Sequence, residues 1–400
     1  MVIEKLNSAV NLGEKSFGFS AKPIDLKFYQ GDASDTLKDL VSSIAPCGKV
    51  AFITKFDTNL LYCTRFAKAV KSVGATMTTV VLEDTASTIE NASVLFSIPD
   101  EVRLVITADT EILDLVYYFA NLRKIPVVVI PKSLDVEGIL KTKIYIQSGD
   151  KVDGVIVKPS LHIVIDKTIL SGTEHKGFAF IMSKLVSLID YRISHALIKS
   201  PVSKKAFDMV KQSVLSTYGV LKLDEDKRFE VILYNAFQIE IASMITKGQI
   251  TDSSAQTIAV GLSKAKDRAS ASLMFAKNIL KLYLATCDIK FDLSALTDLN
   301  ALSDLMQDKT GVDFSVYLKN LKSQVKLAIE NGEKAFETLK SLKDEISSFV
   351  NLFAEIEKTF ISLGGKTPEI IDYKFSLIHS GDHYIGANTM TLIRELGLIK

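Results

Sequence analysis

Five histidines, His162, His175, His195, His379 and His383, are the side chains with the widest reach into metal or acid–base chemistry in this sequence. His379 and His383 bracket Asp382 in Ile378-His379-Ser380-Gly381-Asp382-His383-Tyr384. Two imidazoles and a carboxylate so close together have the donor types that zinc takes, although a surface loop is the plainer reading. His175 follows Glu174 directly and has the chemistry of a general acid or base, though a solvated loop histidine is commoner. Cys47, Cys63 and Cys287 are odd in number and widely spaced, with no Cys-x-x-Cys, so they read as incidental thiols of a reducing compartment. No Gly-x-Ser-x-Gly elbow, Gly-x-x-x-x-Gly-Lys-Ser/Thr phosphate loop or His-Glu-x-x-His pair occurs.

The elements that must position any chemistry fall into two regimes. From Lys49 to Ile130, apolar strand-like runs (Lys49 to Thr54, Thr76 to Leu82, Val102 to Thr107, Pro126 to Ile130) alternate with helical spacing at Leu60 to Val73, Ser87 to Phe96 and Ile112 to Leu122. Gly74 is placed to end the first of those helices. Strands separated by helices predict a parallel sheet with right-handed crossovers. In such sheets ligands bind at the carboxyl ends of strands, which singles out the loops after Thr54, Leu82, Thr107 and Ile130. Ile144 to Ile146 and Val155 to Val157 flank Ser148-Gly149-Asp150, an antiparallel hairpin pattern, and His162 to Ile165 reads as a further strand.

From about Lys167 the period becomes helical, with helices expected over Phe178 to His195, Phe207 to Tyr218, Lys227 to Thr246, Ser253 to Lys264 and Ala269 to Ala285. This change predicts domains at 1–166 and 167–400, with a cleft between them. Val316 to Leu363 carries apolar residues every three or four positions among Lys and Glu. It predicts a long amphipathic helix or helical hairpin, with Asn331-Gly332 as a candidate break, that packs on its own domain or, as the sharper alternative, offers a partner surface.

With 400 residues, two domains are the default. The net charge of +1, from 48 basic and 47 acidic side chains, argues against nucleic acid or an acidic membrane as partner. No apolar run reaches the ~18 residues of a membrane span, and Met1 to Ser20 lacks a signal-peptide core, so a cytoplasmic chain is expected.

Several strings, in common order, resemble the superfamily of glycerol-1-phosphate dehydrogenase, glycerol dehydrogenase, iron-containing alcohol dehydrogenase and 3-dehydroquinate synthase. Gly177-Phe178-Ala179-Phe180-Ile181-Met182-Ser183-Lys184, then Leu188-Ile189-Asp190-Tyr191-Arg192, is similar to the family's Gly-x-Gly-Asp-Leu-x-Ser/Ala-Lys and Leu-x-Asp-Trp. Ile130 to Gly138 resembles its Val-Pro-Thr-x-x-Ser-x-Asp-Gly, and Thr389 to Leu398 resembles its closing helix. The resemblance implies an α/β N-terminal domain with a parallel Rossmann-like sheet plus an all-α C-terminal domain, the dehydroquinate synthase-like architecture. It also implies NAD(P) contacts at Asp109, Thr110, Asp114 and Lys132, and a substrate cleft with Asp135, Glu137, Phe180, Lys184 and Gln256.

The departures from the family all run one way. Its pyrophosphate loop, Gly-Gly-Gly-x-x-x-Asp-x-x-Lys, falls on Ala108 to Tyr117; Asp114 survives and the glycines become Ala108, Asp109 and Thr110. Glycines there let backbone N–H groups approach phosphate, whereas Asp109 and Glu111 repel it, with Lys132 compensating in part. The alternative for Asp109 or Thr110 is to cap the following helix. The implied metal ligands, one Asp and two His, fall on Phe180, Gln256 and Met274 or Phe275, which suit neither zinc nor iron. Six positions apart, Lys184 and Asp190 lie ~120° apart on a helix, so at most one lines the cleft; the resemblance selects Lys184, and a salt bridge is the alternative for each.

The expectation is therefore a degenerate, metal-free member that binds a ligand or assembles, with a small phosphorylated ligand and a homo-oligomer as candidate partners. The alternative is an NAD(P)-dependent dehydrogenase acting on glycerol phosphate or a related polyol, and behind both a phosphosugar lyase or synthase.

Overall fold

Among the described residues, β-branched and aliphatic runs build eight strands: Ile24–Gln30 (β1), Lys49–Lys55 (β2), Thr76–Leu82 (β3), Val102–Thr107 (β4), Val127–Val129 (β5), Lys143–Ser148 (β6), Lys151–Ile156 (β7) and Ser160–Ile165 (β8). The computed structural model describes residues 2–17, 22–149, 151–251, 268–287 and 330–366. Six strands form one sheet in the order β1-β8-β5-β4-β2-β3, every pair parallel. β6 and β7 form the expected antiparallel hairpin, with Ser148 opposite Lys151 across the turn. The described residues divide into two compact units, Met1–Glu174 with Ser243–Gly248, and His175–Ala242 with Gln249–Lys400.

The strand order creates a switch point. β2 and β4 are neighbours, yet β2 continues to β3 on one side and β4 continues to β5 on the other. Connections leaving in opposite directions open a crevice at the carboxyl ends of the two strands, where ligands of open α/β sheets bind.

Helices Ala33–Ile44 (preceded by Val2–Phe17, α1, and so α2) and Phe56–Ser72 (α3) cover one face of this sheet. Phe52, Phe66, Val70, Leu104, Ile106 and Leu37 are fully buried in that core. α3 ends as expected at Gly74, whose φ of 79° is left-handed and whose N–H returns to the Lys71 carbonyl at 3.0 Å. β1 and α2 were not foreseen: Leu26 and Phe28 alternate inward on β1, and Asp32 caps α2 by accepting from the Ser34 and Asp35 N–H groups.

Beyond Ile89–Leu95 (α4), Leu113–Arg123 (α5) and the single turn Lys167–Leu170 (α6), the second regime is helical. It comprises Glu174–Leu197 (α7), Lys204–Tyr218 (α8), Glu225–Thr246 (α9), Arg268–Thr286, a helix over 330–341 and Lys343–Ser362. Residues 177–191 of α7 are buried without a break, the mark of a helix enclosed on all sides. Ile346, Phe349, Phe353, Ile356 and Phe360 make the buried stripe of the last helix, which packs on Arg268–Thr286 and is tied to it by Lys277 and Glu357 at 2.7 Å. That apolar face is therefore taken up within its own unit.

The candidate break at Asn331-Gly332 does not occur there: residues 330–341 are helical and the turn falls at Leu342. Asn331 is buried, and its amide donates to the Leu197 carbonyl at the end of α7 (2.8 Å), so a tertiary acceptor satisfies a side chain that otherwise favours turns. The expected helix at Ser253 to Lys264, the His379–His383 loop, residues 316–329 and the closing string Thr389 to Leu398 lie outside the described residues. No described helix is long and apolar enough to cross a membrane.

His162 on β8 gives the first unit an acid sensitivity. Burial pushes its imidazole below the ordinary 6.5, Lys27 on β1 adds to this and Asp25 opposes it; the ring Nδ1 lies 3.2 Å from the Tyr29 hydroxyl. A depressed folded pKa means stability that is complete above 6.5 and lost as pH falls through the folded value. Urea unfolding is accordingly expected to show a lower midpoint at pH 5.5 than at pH 7.5 (both about a unit from the ordinary value). His162→Leu should flatten that difference; an unchanged slope in the variant would assign it elsewhere.

Candidate functional site

The carboxyl ends of β2, β4 and β5 converge on Asp109. The residue lies two positions past the end of β4, after Ala108, with φ −105° and ψ 114°, an ordinary extended backbone and not the left-handed turn glycines permit. It occupies the cap position of the 3₁₀ turn Thr110–Ile112, but its side chain makes no cap hydrogen bond, so the alternative of a capping role does not hold for Asp109. The carboxylate instead crosses the switch point to β2. Oδ2 accepts from the Thr54 hydroxyl (3.0 Å) and the Lys55 N–H (2.9 Å). Oδ1 accepts from the Thr58 hydroxyl (2.6 Å) in the first turn of α3 and from the Lys132 ammonium of the loop after β5. Asp109, Thr54 and Thr58 are all 0% exposed.

This donor set is of the kind that cradles a phosphate: a strand-end N–H and hydroxyl, a hydroxyl at a helix start and a lysine. Here it is satisfied by the protein's own carboxylate. Lys132 is therefore engaged by Asp109 and the Thr58 hydroxyl. Burial pulls its pKa down, but Asp109 by charge and hydrogen bond, with Glu111 and Asp57, outweighs burial and holds the ammonium above the ordinary lysine value. Around this core, Lys55 lies 3.7 Å from Glu111 and Lys132 lies 3.8 Å from Asp57.

The remaining expected residues separate. Asp114 accepts from the Ser87 hydroxyl (3.3 Å) and pairs with Lys141, away from Asp109's partners. Thr110 is half-buried and begins the 3₁₀ turn. Asp135 turns back on its own loop, accepting from the Glu137 N–H at 3.4 Å. Thr54, Lys55 and Thr58 were missed as residues, although the loop after Thr54 was singled out. Their signal is the strand order, which makes the β2 and β4 ends neighbours.

In the second unit, Phe180 is 2% exposed, and the Lys184 ammonium sits 4.8 Å from its ring centroid. Lys184 is itself buried and donates to the Thr251 carbonyl at 3.2 Å; Asp190 accepts from the Tyr283 hydroxyl at 2.5 Å. Both are thus held inside the fold, each by a neutral partner in these contacts. His175 has its ring 6.3 Å from that of Phe360. Gln256 lies outside the described residues, and Phe275 is buried. Phenylalanine and methionine offer zinc or iron no suitable donor, so the residues at these positions do not fit the metal. Among the described residues, no three His, Cys, Asp or Glu side chains group closely enough to hold a metal ion.

The first unit is thus a six-stranded parallel sheet with a switch point, and the second is helical. The structure is similar to glycerol dehydrogenase from Schizosaccharomyces pombe, with a TM-score of 0.50 and 14% identity over 88% of this chain and 95% of that one. It is also similar to an iron-containing alcohol dehydrogenase from Thermococcus thioreducens (TM-score 0.48, 12% identity, 91% and 98% covered). A probable glycerol dehydrogenase from Sinorhizobium meliloti gives a TM-score of 0.48 with 11% identity, 82% and 98% covered. No protein-family model and no curated protein matches the sequence. At 14% identity the likeness to the Schizosaccharomyces pombe protein shows the fold alone, with the expected α/β and helical parts, and leaves function to the site.

Proposed function

We propose that this chain is a repurposed dehydrogenase fold, a protein that has lost the dinucleotide grip and the metal site and acts by binding instead of hydride transfer. The single observation that carries this reading is the buried Asp109 carboxylate at the β2/β4 switch point. Two hydroxyls, one N–H and one ammonium already converge on it. A pyrophosphate placed there would meet an anion, and every donor it needs is committed. Phe180 in place of a metal-binding carboxylate supports the same conclusion. The three free cysteines suit a cytoplasmic setting.

The test is metal analysis of the purified full chain, joined to a thermal-shift screen of NAD and NADP with and without zinc. The reading expects no stoichiometric transition metal and no cofactor-dependent shift. A working dinucleotide site would stabilise the fold by ~2.7 kcal/mol at a hundredfold excess over its dissociation constant. That shift, together with bound zinc or iron, would overturn the reading in favour of an NAD(P)-dependent dehydrogenase acting on glycerol phosphate or a related polyol.

A further inference from the structure

The two edges of the six-stranded sheet differ. At β1 the edge is closed: the Asn7 amide of α1 donates to the Phe28 carbonyl (3.1 Å) and its Oδ1 accepts the Phe28 N–H (3.0 Å). Asp25, at φ 49°, also breaks the register there between Ile24 and Lys27. β3, at the other edge, carries none of these devices. It runs in unbroken register with β2, and Ala75 to Leu82 holds no charge, proline or glycine. Thr76 donates its N–H inward, to the Gly48 carbonyl just ahead of β2 at 3.0 Å. Alternation then turns the N–H and C=O groups of Met77, Thr79 and Val81 outward, where none of them has a partner among the described residues. A flat, uncharged edge of this kind is a template for another strand.

The helix beside that edge carries an open apolar stripe. Phe56, Leu60, Cys63 and Ala67 of α3 fall at helical spacing on one flank. Arg65, on the opposite flank, reaches α2 through the Ser34 hydroxyl (2.9 Å), while Cys63 Sγ lies 3.4 Å from the Thr79 hydroxyl. The stripe is therefore on the β3 side, and there Phe56 and Leu60 are 67% and 70% exposed.

We propose that this edge is the interface of a two-fold symmetric dimer, in which β3 pairs antiparallel with β3 of a second copy. Centred on Thr79, the pairing sets Thr79 against Thr79 and Met77 against Val81, so every outward-facing residue meets another outward-facing one. The same two-fold brings the copies of α3 together. α3 packs on both β2 and β3, so the two helices fall about two strand spacings apart, ~10 Å, the distance of packed helices. Their facing stripes then bury Phe56 and Leu60. The charges at the ends agree. Exposed Lys71 lies near the end of α3 ahead of β3, and exposed Glu83 and Asp84 follow β3. Antiparallel pairing sets the acidic end of each copy beside the basic end of the other. A second copy thus matches the strand, the stripe and both charges at once. The inference rests on the first unit alone and stands independently of the reading of Asp109.

Sedimentation equilibrium of the full chain, joined to amide hydrogen exchange, tests it. The expected result is a species of twice the 44.0 kDa chain mass, with exchange in the segment 75–82 slowing as the dimer forms. Leu60→Lys places a charge in each facing stripe and should weaken the dimer about a hundredfold; Leu60→Ser, without a charge, should weaken it about tenfold. Leu60 is exposed in the single chain, so both variants should keep the parent's circular dichroism. Leu215→Lys, at an exposed leucine of α8, should leave association unchanged. A chain that stays monomeric, or that aggregates without closing into a dimer, overturns the proposal. So does an assembly that Leu60→Lys leaves intact or Leu215→Lys disrupts, or a dimer in which 75–82 exchanges as fast as in the monomer.

Discussion

Asp109→Ala is expected to lower the unfolding free energy of the first unit by about 3–5 kcal/mol, the loss typical of removing one partner of a buried ion pair. The Thr58 hydroxyl and the Lys55 N–H lose their acceptor, and the Lys132 ammonium keeps only the Thr58 hydroxyl at 2.9 Å and Asp57 at 3.8 Å. Lys132 retains 24% side-chain exposure and can recover some hydration, which places the loss at the lower end of that range. Asp109→Asn keeps the shape and one acceptor oxygen but not the charge, and should fall between parent and alanine. Urea unfolding followed by circular dichroism measures both, since the chain has no tryptophan. A second readout separates this role from ordinary packing. In Asp109→Gly the cradle is emptied without a Cβ, so millimolar inorganic phosphate should stabilise that variant and leave the parent unchanged. Losses under about 1 kcal/mol, as for exposed ion pairs, would mean that the network contributes little.

Phe180→Ala is expected to cost about 3–5 kcal/mol in the second unit. The ring is 2% exposed in a helix buried along 177–191, so truncation leaves a cavity. It also removes the aromatic face 4.8 Å from the buried Lys184 ammonium, a desolvated cation–π contact worth up to about 2 kcal/mol. Lys184→Met relieves that second term, so the double variant should recover part of the loss. Zinc should stabilise neither protein. Zinc-dependent stabilisation of Phe180→Asp, but not of the parent, would show that the other ligands survive and that this position alone had changed.

Much of the fold was legible because its signals are local. Val-Val-Val at 127–129, Val50 to Ile53 and the hairpin about Gly149 announce strands by composition and period, and Gly74 ends α3 because only its backbone readily takes that turn. What stayed hidden depends on pairing between distant segments. No local pattern places β4 beside β2, and without that adjacency Asp109 reads as a charge facing solvent or phosphate, not as the acceptor for Thr54, Lys55 and Thr58. Asn331-Gly332 misled for the same reason: its turn preference is overridden by an acceptor 134 residues away in sequence, at Leu197. β1 did carry a local signal, the inward alternation of Leu26 and Phe28, but on a short edge strand among charged residues it is weak.

The central claim is that the switch-point crevice is filled by the chain's own anion. Calorimetric titration of the unmodified full chain with NAD tests it most directly. No saturable heat at millimolar cofactor is the predicted result. A dissociation constant in the micromolar range, about 8 kcal/mol of binding, would require Asp109 and Lys132 to part and would contradict the account.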